Sequence, residues 1–112
     1  GYTHEKDGRN LALHEMAHAL RLENAIQNEE FDFIPKRELR YFDELAVKEI
    51  NGMRAGESDF FRNYAATNLH EFFAVAVENF FERSVEFLDE KPDLYLALSA
   101  VLNQDPVRLF KL

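Results

Sequence analysis

The chain contains the stretch His14-Glu15-Met16-Ala17-His18, in which two histidines stand four residues apart and a glutamate follows the first. Residues four apart lie one turn above each other on a helix, so both imidazoles can bind one metal ion. Glu15 is placed beside such an ion rather than on it, where its carboxylate can take a proton from water. The spacing predicts a helix that supplies two ligands of a zinc site.

Apolar and small residues surround the motif and indicate that its helix is substantially buried: they are Leu11, Leu13, Met16, Ala17 and Leu20. Buried polar side chains need hydrogen-bond partners or a metal. This HExxH pattern is typical of zinc metallopeptidases. The alternative is an ordinary amphipathic helix whose histidines and glutamate hydrogen-bond within the core.

The length of 112 residues predicts a single domain over 1–112, large enough for a hydrophobic core but short for a complete peptidase. We expect these 112 residues to be a fragment of a longer chain. In this fragment, the sheet that usually precedes such a motif is expected to be absent or minimal. The sequence has no cysteine. A metal would therefore be held by histidine and carboxylate ligands.

The net charge of −8 argues against nucleic acid as a partner, because an acidic chain is repelled by the phosphate backbone. No apolar run has the length of a membrane span, so we expect no membrane partner. The eleven phenylalanines favour a packed helical core. The fold class that we predict is mainly α, with a helical, zincin-like catalytic domain.

Apolar residues at helical spacing predict four helices: one from a cap at Asp7 or Asn10 to about Asn24, one from 36 to 51, one from about Leu69 to Arg83, and one near 93 to 103. Residues 28–33 are interpreted as a connection, and Asn51-Gly52 as the end of the second helix. The apolar face of the third helix is predicted to comprise Leu69, Phe72, Phe73, Ala76, Phe80 and Phe81. The charged side chains of the second helix are interpreted as a solvated surface: Lys36, Arg37, Glu38, Arg40, Glu44, Lys48 and Glu49.

A catalytic zinc site needs three protein ligands and one open position. The third histidine of the metzincin pattern is missing, because Arg21 and Asn24 replace its glycine and its histidine. Other zinc peptidases take a glutamate from a second helix packed across the first. Glu71 and Glu78 are the candidates, seven residues apart and hence on one face of the third helix.

The run from Tyr64 to Phe81 resembles the second signature of the Mlc titration factor A (MtfA) family of zinc peptidases, and Asn10 to His18 resembles its first signature. Residues 92–95 and 103–106 match the closing segment of that family. The catalytic half of anthrax lethal factor is similar around both signatures. The resemblance extends from residue 10 to residue 106, and two ordered signatures are more specific than HExxH alone.

The resemblance implies a zinc-dependent metallopeptidase of the gluzincin type, with one Zn²⁺ per chain bound by His14, His18 and Glu71. It implies that Glu15 is the general base and that Tyr64 stabilises the oxyanion. It also implies a peptide or protein substrate, a protein regulator as a second partner, and a cytoplasmic bacterial location. Leu69-His70 stands where the family usually has Pro-Ala, and Arg21 stands where an aspartate is common. These departures leave substrate preference open, rather than the metal site.

Several of these residues also have ordinary structural interpretations. Asn68 and Glu71 fit a capping box, in which Glu71 would reach back to the backbone. Glu78 fits either a support for a ligand histidine or a surface residue. His70 is either a contact at the rim of the site or simply exposed, and Tyr64 can merely pack its ring.

Two further functions are compatible with the same residues. The first is a non-catalytic, zinc-containing module that binds a protein regulator, since the MtfA family takes its name from binding a transcriptional repressor. The second is a metal-free helical interaction domain. Stoichiometric zinc excludes the second, and peptide hydrolysis that depends on Glu15 distinguishes the peptidase from the first.

Overall fold

A computed structural model describes residues 12–19 and 35–107, and these residues are arranged in helices. The motif lies on α1, which is helical over 12–19. The other elements are α2 (Lys36–Arg54), a 3₁₀ helix (Asn63–Ala66), α3 (Leu69–Glu82), α4 (Ser84–Glu90) and α5 (Pro92–Leu102). No strand occurs in the described ranges, so the mainly-α prediction is confirmed.

Helix α3 lies at the centre of the fold, because every residue from Phe72 to Glu78 is buried. Helix α2 packs against α3 and α5, and α4 packs against α5. A helix that is apolar on all sides is typical of such a central position. The apolar face predicted for α3 was therefore too narrow, because the buried surface of the helix extends all round it. The prediction was wrong for Phe81, which is 38% exposed.

Aromatic rings fill the core between α3, α4 and α5. Phe87 lies 5.3 Å from Phe61 and 5.8 Å from Tyr95, measured between ring centroids, and Phe80 lies 5.0 Å from Tyr95. The ring planes of Phe87 are nearly perpendicular to those of Phe61 and Tyr95, the edge-to-face geometry that aromatic quadrupoles favour. These contacts fix α3 against its neighbours.

Helix α2 ends three residues later than the sequence predicted. It continues through Asn51 and Gly52 to Arg54, and the left-handed residue that ends it is Gly56, with φ of 77°. The amide of Gly56 donates to the Met53 carbonyl, and the amide of Glu57 donates to the Gly52 carbonyl. This pair of bonds is the Schellman arrangement, which satisfies the last carbonyls of a helix.

The prediction that the charged side of α2 is solvated was wrong for Glu49. Its side chain is only 10% exposed and forms an ion pair of 3.1 Å with Lys91. Ser58 donates a 2.5 Å hydrogen bond to Glu49 and accepts one of 2.9 Å from Lys91. The three residues join α2 to the loop after it and to the start of α5, and the pairing compensates the buried carboxylate.

Several sequence predictions lie outside the described residues or beyond what the structure tests. The caps and the end of the first helix, the connection at 28–33 and any preceding strand fall outside the described ranges. The single domain over 1–112 stays a prediction. Helix α4 was not predicted from the sequence. None of the described helices is both long and apolar enough to cross a membrane.

The two glycines near the end of α2 predict opposite effects of the same substitution. Gly52→Ala should raise the free energy of unfolding by up to about 1 kcal/mol, because alanine favours the helix interior. The added Cβ would meet its nearest neighbour, the Ser58 Cβ, at an ordinary 3.9 Å. Gly56→Ala should lower the free energy of unfolding by about 1–2 kcal/mol, because a Cβ is strained at positive φ. Urea denaturation of both variants checks the signs, and stabilisation by Gly56→Ala would contradict the assigned helix end.

Candidate metal centre

The two motif histidines lie on one face of α1 and point into the protein. Their ring centroids are 4.5 Å apart, and His14 is buried with 9% of its surface exposed. Ala17, between them in sequence, is completely buried. Met16 is 45% exposed, so the predicted substantial burial of this helix does not extend to that residue.

Glu71 lies in the first turn of α3 and faces both histidines. Its Oε1 is 3.1 Å from Nε2 of His14 and 2.7 Å from Nε2 of His18. The capping interpretation is also correct in part, because the Glu71 amide donates a 2.8 Å hydrogen bond to the Asn68 side chain. The cap uses the backbone of Glu71 and leaves its carboxylate directed at the histidines.

Glu78, two turns further along α3, contacts the other side of the His14 ring. Its Oε1 is 2.5 Å from Nδ1 of His14, and the residue is 7% exposed. The interpretation of Glu78 as a support for a motif histidine, rather than a surface residue, is confirmed by this contact. Such a carboxylate fixes the ring orientation of the histidine and makes its other nitrogen more basic.

The two contacts of His14 together constrain its protonation. A carboxylate can only accept, so Nδ1 must carry the hydrogen that it donates to Glu78. In a neutral imidazole, Nε2 then presents a lone pair, which faces the Glu71 carboxylate at 3.1 Å. Two lone pairs at this distance repel each other unless a proton or a cation lies between them.

Tyr64 reaches the cluster from the 3₁₀ helix. Its hydroxyl donates a hydrogen bond to Oε2 of Glu71, and its ring lies 6.0 Å from that of His14. The hydrogen bond to Glu71 is the main cause that raises the pKa of Tyr64, followed by partial burial. The same bond is the main cause that lowers the pKa of Glu71, to which contacts with His18 and His14 also contribute.

The remaining candidate residues lie at the edge of the cluster. The His70 ring stacks on that of His18, with centroids 4.0 Å apart and planes 21° from parallel. His70 is thus exposed and also in contact with the cluster, so it lies at the rim. Glu15 is exposed and close enough to Tyr64 to contribute a small part of its raised pKa, after the larger effects of Glu71 and burial.

Sequence reasoning missed one member of the cluster, Arg62. Its Nη2 donates to both oxygens of Glu78, at 2.9 and 3.2 Å. Arg62 immediately precedes the 3₁₀ helix and belongs to neither signature, and no periodic pattern marks it. The only available signal was chemical, since a buried glutamate requires a cationic or hydrogen-bonding partner.

The donor atoms of His14, His18 and Glu71 fit a divalent transition metal. One nitrogen or oxygen from each lies within 4.8 Å of the others. An ion with tetrahedral bonds of about 2.0–2.1 Å has ligand atoms about 3.3 Å apart, close to the 3.1 Å between His14 and Glu71. Two imidazoles and a carboxylate are a donor set that zinc favours.

The helical fold brings together two histidines and a glutamate that could hold a metal ion, as in a metalloprotein. The family model described as "Glucose-regulated metallo-peptidase M90" matches residues 1–102, and the chain belongs to this family. The predicted resemblance to the MtfA family is thereby confirmed. Searches of curated proteins and of solved structures found no match, so the similarity to lethal factor stays a prediction.

The contact between Tyr64 and Glu71 can be tested in the metal-free protein. Tyr64→Phe should move the pKa of Glu71 up towards its ordinary value, because the largest cause of its lowering is removed. Because the pKa of Glu71 is lowered in the folded state, its carboxylate adds to the free energy of unfolding at pH values above the ordinary carboxyl pKa, and acidification removes this contribution. In Tyr64→Phe the loss of folding stability on acidification should therefore be smaller than in the wild type.

The measurement is a pH titration of the Glu71 side-chain carbon by NMR. Tyr41→Phe is the matched control, because Tyr41 is an exposed tyrosine on α2. An unchanged Glu71 titration in Tyr64→Phe would show that the hydrogen bond does not exist in solution.

Proposed function

We propose that this chain is the zinc-binding catalytic part of a peptidase, with His14, His18 and Glu71 as the metal ligands. The observation that carries the proposal is the convergence of His14 Nε2 and His18 Nε2 on Oε1 of Glu71, at 3.1 and 2.7 Å, while Glu78 contacts the other ring nitrogen of His14. A cation between these atoms removes their repulsion. Membership of a metallopeptidase family supports the same assignment.

The charges around the cluster also favour a cation. Glu71 and Glu78 bring two negative charges, and Arg62 brings one positive charge within 2.9 Å of Glu78. With neutral histidines, this group retains a net negative charge. Within the described residues, the guanidinium of Arg62 pairs with Glu78, whereas an oxygen of Glu71 lies between the two histidines. A divalent ion there would be attracted by its charge and ligated by all three side chains.

When bound, zinc would lower the pKa of a coordinated water to about 7 and polarise the carbonyl of the scissile peptide. Glu15 is proposed as the general base, which accepts the proton of the attacking water on its carboxylate. The same carboxyl group would then deliver that proton to the leaving amine. Its position next to His14 in sequence, and its exposure, leave it accessible to water and substrate.

Tyr64 is proposed to donate a hydrogen bond to the oxyanion of the tetrahedral state. Its hydroxyl has one hydrogen, which the structure directs at Glu71. Tyr64 must therefore exchange Glu71 for the oxyanion as the reaction proceeds. The side chain is 47% exposed, so solvent and substrate can reach it. A peptide or protein is the substrate that the family implies.

The metal assignment predicts about one zinc per chain after reconstitution, as a three-ligand site requires. In Glu71→Ala the affinity should fall by more than about 100-fold, the upper range for loss of a contact behind a ligand. Elemental mass spectrometry and chelator competition measure both quantities. Glu57→Ala removes an exposed glutamate from the loop after α2 and should keep full zinc binding. Equal affinity in Glu71→Ala and Glu57→Ala would refute Glu71 as a ligand.

The base assignment predicts that Glu15→Gln keeps its zinc but loses peptide hydrolysis by about 100-fold or more, the usual contribution of a general base. Amide and carboxylate have the same size, so the substitution leaves the shape of α1 unchanged. Cleavage of a mixed peptide library, followed by mass spectrometry with and without chelator, measures the activity. Undiminished turnover in Glu15→Gln would exclude Glu15 as the base. Stoichiometric zinc without any Glu15-dependent cleavage would instead favour the non-catalytic binding module.

A further inference from the structure

Arg62 contacts the two side chains that flank the proposed ligands. On one side its guanidinium donates to both oxygens of Glu78, and on the other its central carbon lies 5.6 Å from the centre of the Tyr64 ring. Glu78 in turn contacts His14, and Tyr64 contacts Glu71. One cation thus lies behind the supports of two different ligands.

The path to His14 passes through a single oxygen. Oε1 of Glu78 is 2.9 Å from Arg62 and 2.5 Å from His14 Nδ1. The carboxylate is held from both sides, which limits rotation of its side chain. It is also largely excluded from water, at 9% side-chain exposure, so it needs a positive partner to remain buried as an anion.

The path to Glu71 passes through the short segment that carries both Arg62 and Tyr64. Arg62 precedes the 3₁₀ helix, and its carbonyl accepts a 2.9 Å hydrogen bond from the Ala65 amide. The guanidinium near the Tyr64 ring adds a cation–π attraction. The conformation that directs Arg62 at Glu78 is therefore the one that places the Tyr64 ring beside His14.

We propose that Arg62 is a positioning residue, which holds Glu78 so that His14 keeps its hydrogen on Nδ1 and presents the Nε2 lone pair to the metal. This proposal rests on the proposed function, but its first consequence, the position of the hydrogen on His14, can be measured in the metal-free protein. A neutral imidazole can carry its hydrogen on either nitrogen. Only a fixed acceptor at Nδ1 selects the form that can bind an ion through Nε2.

Two other arginines, Arg54 and Arg83, make different contacts, and a comparison with them shows what is specific to Arg62. Arg54 donates to the carbonyls of Ala66 and Thr67, so it stabilises the backbone next to the 3₁₀ helix. Arg83 lies 4.3 Å from the Phe60 ring centre and pairs with Glu86 at 3.6 Å. Arg83 thus matches Arg62 in chemistry, with an aromatic ring and a glutamate, but not in location.

The first experiment measures the His14 tautomer by nitrogen NMR in the full 112-residue, metal-free protein, at a pH about two units above the ordinary histidine value of about 6.5. The wild type should carry the hydrogen on Nδ1. Arg62→Met should shift the population towards Nε2, and Arg62→Lys, which restores a charge, should shift it less. Arg83→Met is the matched control and should leave the His14 signals unchanged.

The second experiment measures zinc affinity of the same four proteins by competition with a chromophoric chelator. Arg62→Met should weaken zinc binding by about 10- to 100-fold, the usual effect of removing a partner behind a ligand. Arg62→Lys should recover part of the loss, and Arg83→Met should bind like the wild type. Thermal unfolding of the metal-free proteins shows whether each variant is folded. Arg62 is itself 57% exposed, which favours tolerance of the change.

The outcomes separate this proposal from the proposed function. A wild type and Arg62→Met with the same His14 tautomer and the same zinc affinity would overturn the role of Arg62 and leave the metal site standing. A wild type that binds no zinc would refute the proposed function, while the tautomer comparison would still decide whether Arg62 acts on His14. A loss in Arg83→Met equal to that in Arg62→Met would also overturn the proposal, because the effect would then be general.

Discussion

The burial of Glu78 and the partial burial of Glu71, on a helix that otherwise belongs to the core, constrain how α1 and the 3₁₀ helix are arranged around α3. Glu71 and Glu78 lie on one face of a helix whose residues from Phe72 to Glu78 are all buried. A buried carboxylate is costly unless charge or hydrogen bonds compensate it. Helix α1 and the 3₁₀ segment supply that compensation, so α1 must cross α3 at the level of these two residues.

The other sides of α3 give the site its rigidity. Phe72 and Phe73 pack near the ring of Phe42 on α2, with centroids 6.0 and 5.9 Å away, while Phe80 lies against Tyr95 of α5. A closely packed aromatic core resists small displacements of the helix. The two glutamates are thus fixed to the least mobile kind of element, as a site that depends on separations of about 3 Å requires.

The parts of this structure that the sequence predicted are those set by local spacing. The positions of His14 and His18 on one helical face, of Glu71 and Glu78 on another, and the cap at Asn68 all follow from helical geometry. Their roles as ligands stay predictions. Arg62 was not predictable in this way, because its pairing with Glu78 joins a connecting segment to a helix face and is a property of the tertiary fold.

The errors at the helix ends have similarly physical causes. Both Gly52 and Gly56 can end a helix by composition, and only the backbone shows that Gly56 takes the left-handed conformation. Glu49 follows the charged pattern of α2, but in the tertiary fold Ser58 and Lys91, which lie further along the chain, cover its side chain. Helix α4 has only seven residues, too few for a periodic pattern to be distinguished from a loop.

The arrangement of donors bears on whether a metal here would serve chemistry or structure. A structural zinc site is closed by four protein ligands, whereas a catalytic site has three and an open position. Within 12–19 and 35–107, the donors that converge are His14, His18 and Glu71.

An exposed Glu15 and a half-exposed Tyr64 lie next to these three donors. A purely structural site gains nothing from accessible acid and hydroxyl groups at its edge, whereas hydrolysis requires both a base and an oxyanion donor there. The contacts that hold His14 from behind also favour chemistry, because a metal that must polarise a substrate needs ligands fixed in direction as well as in number.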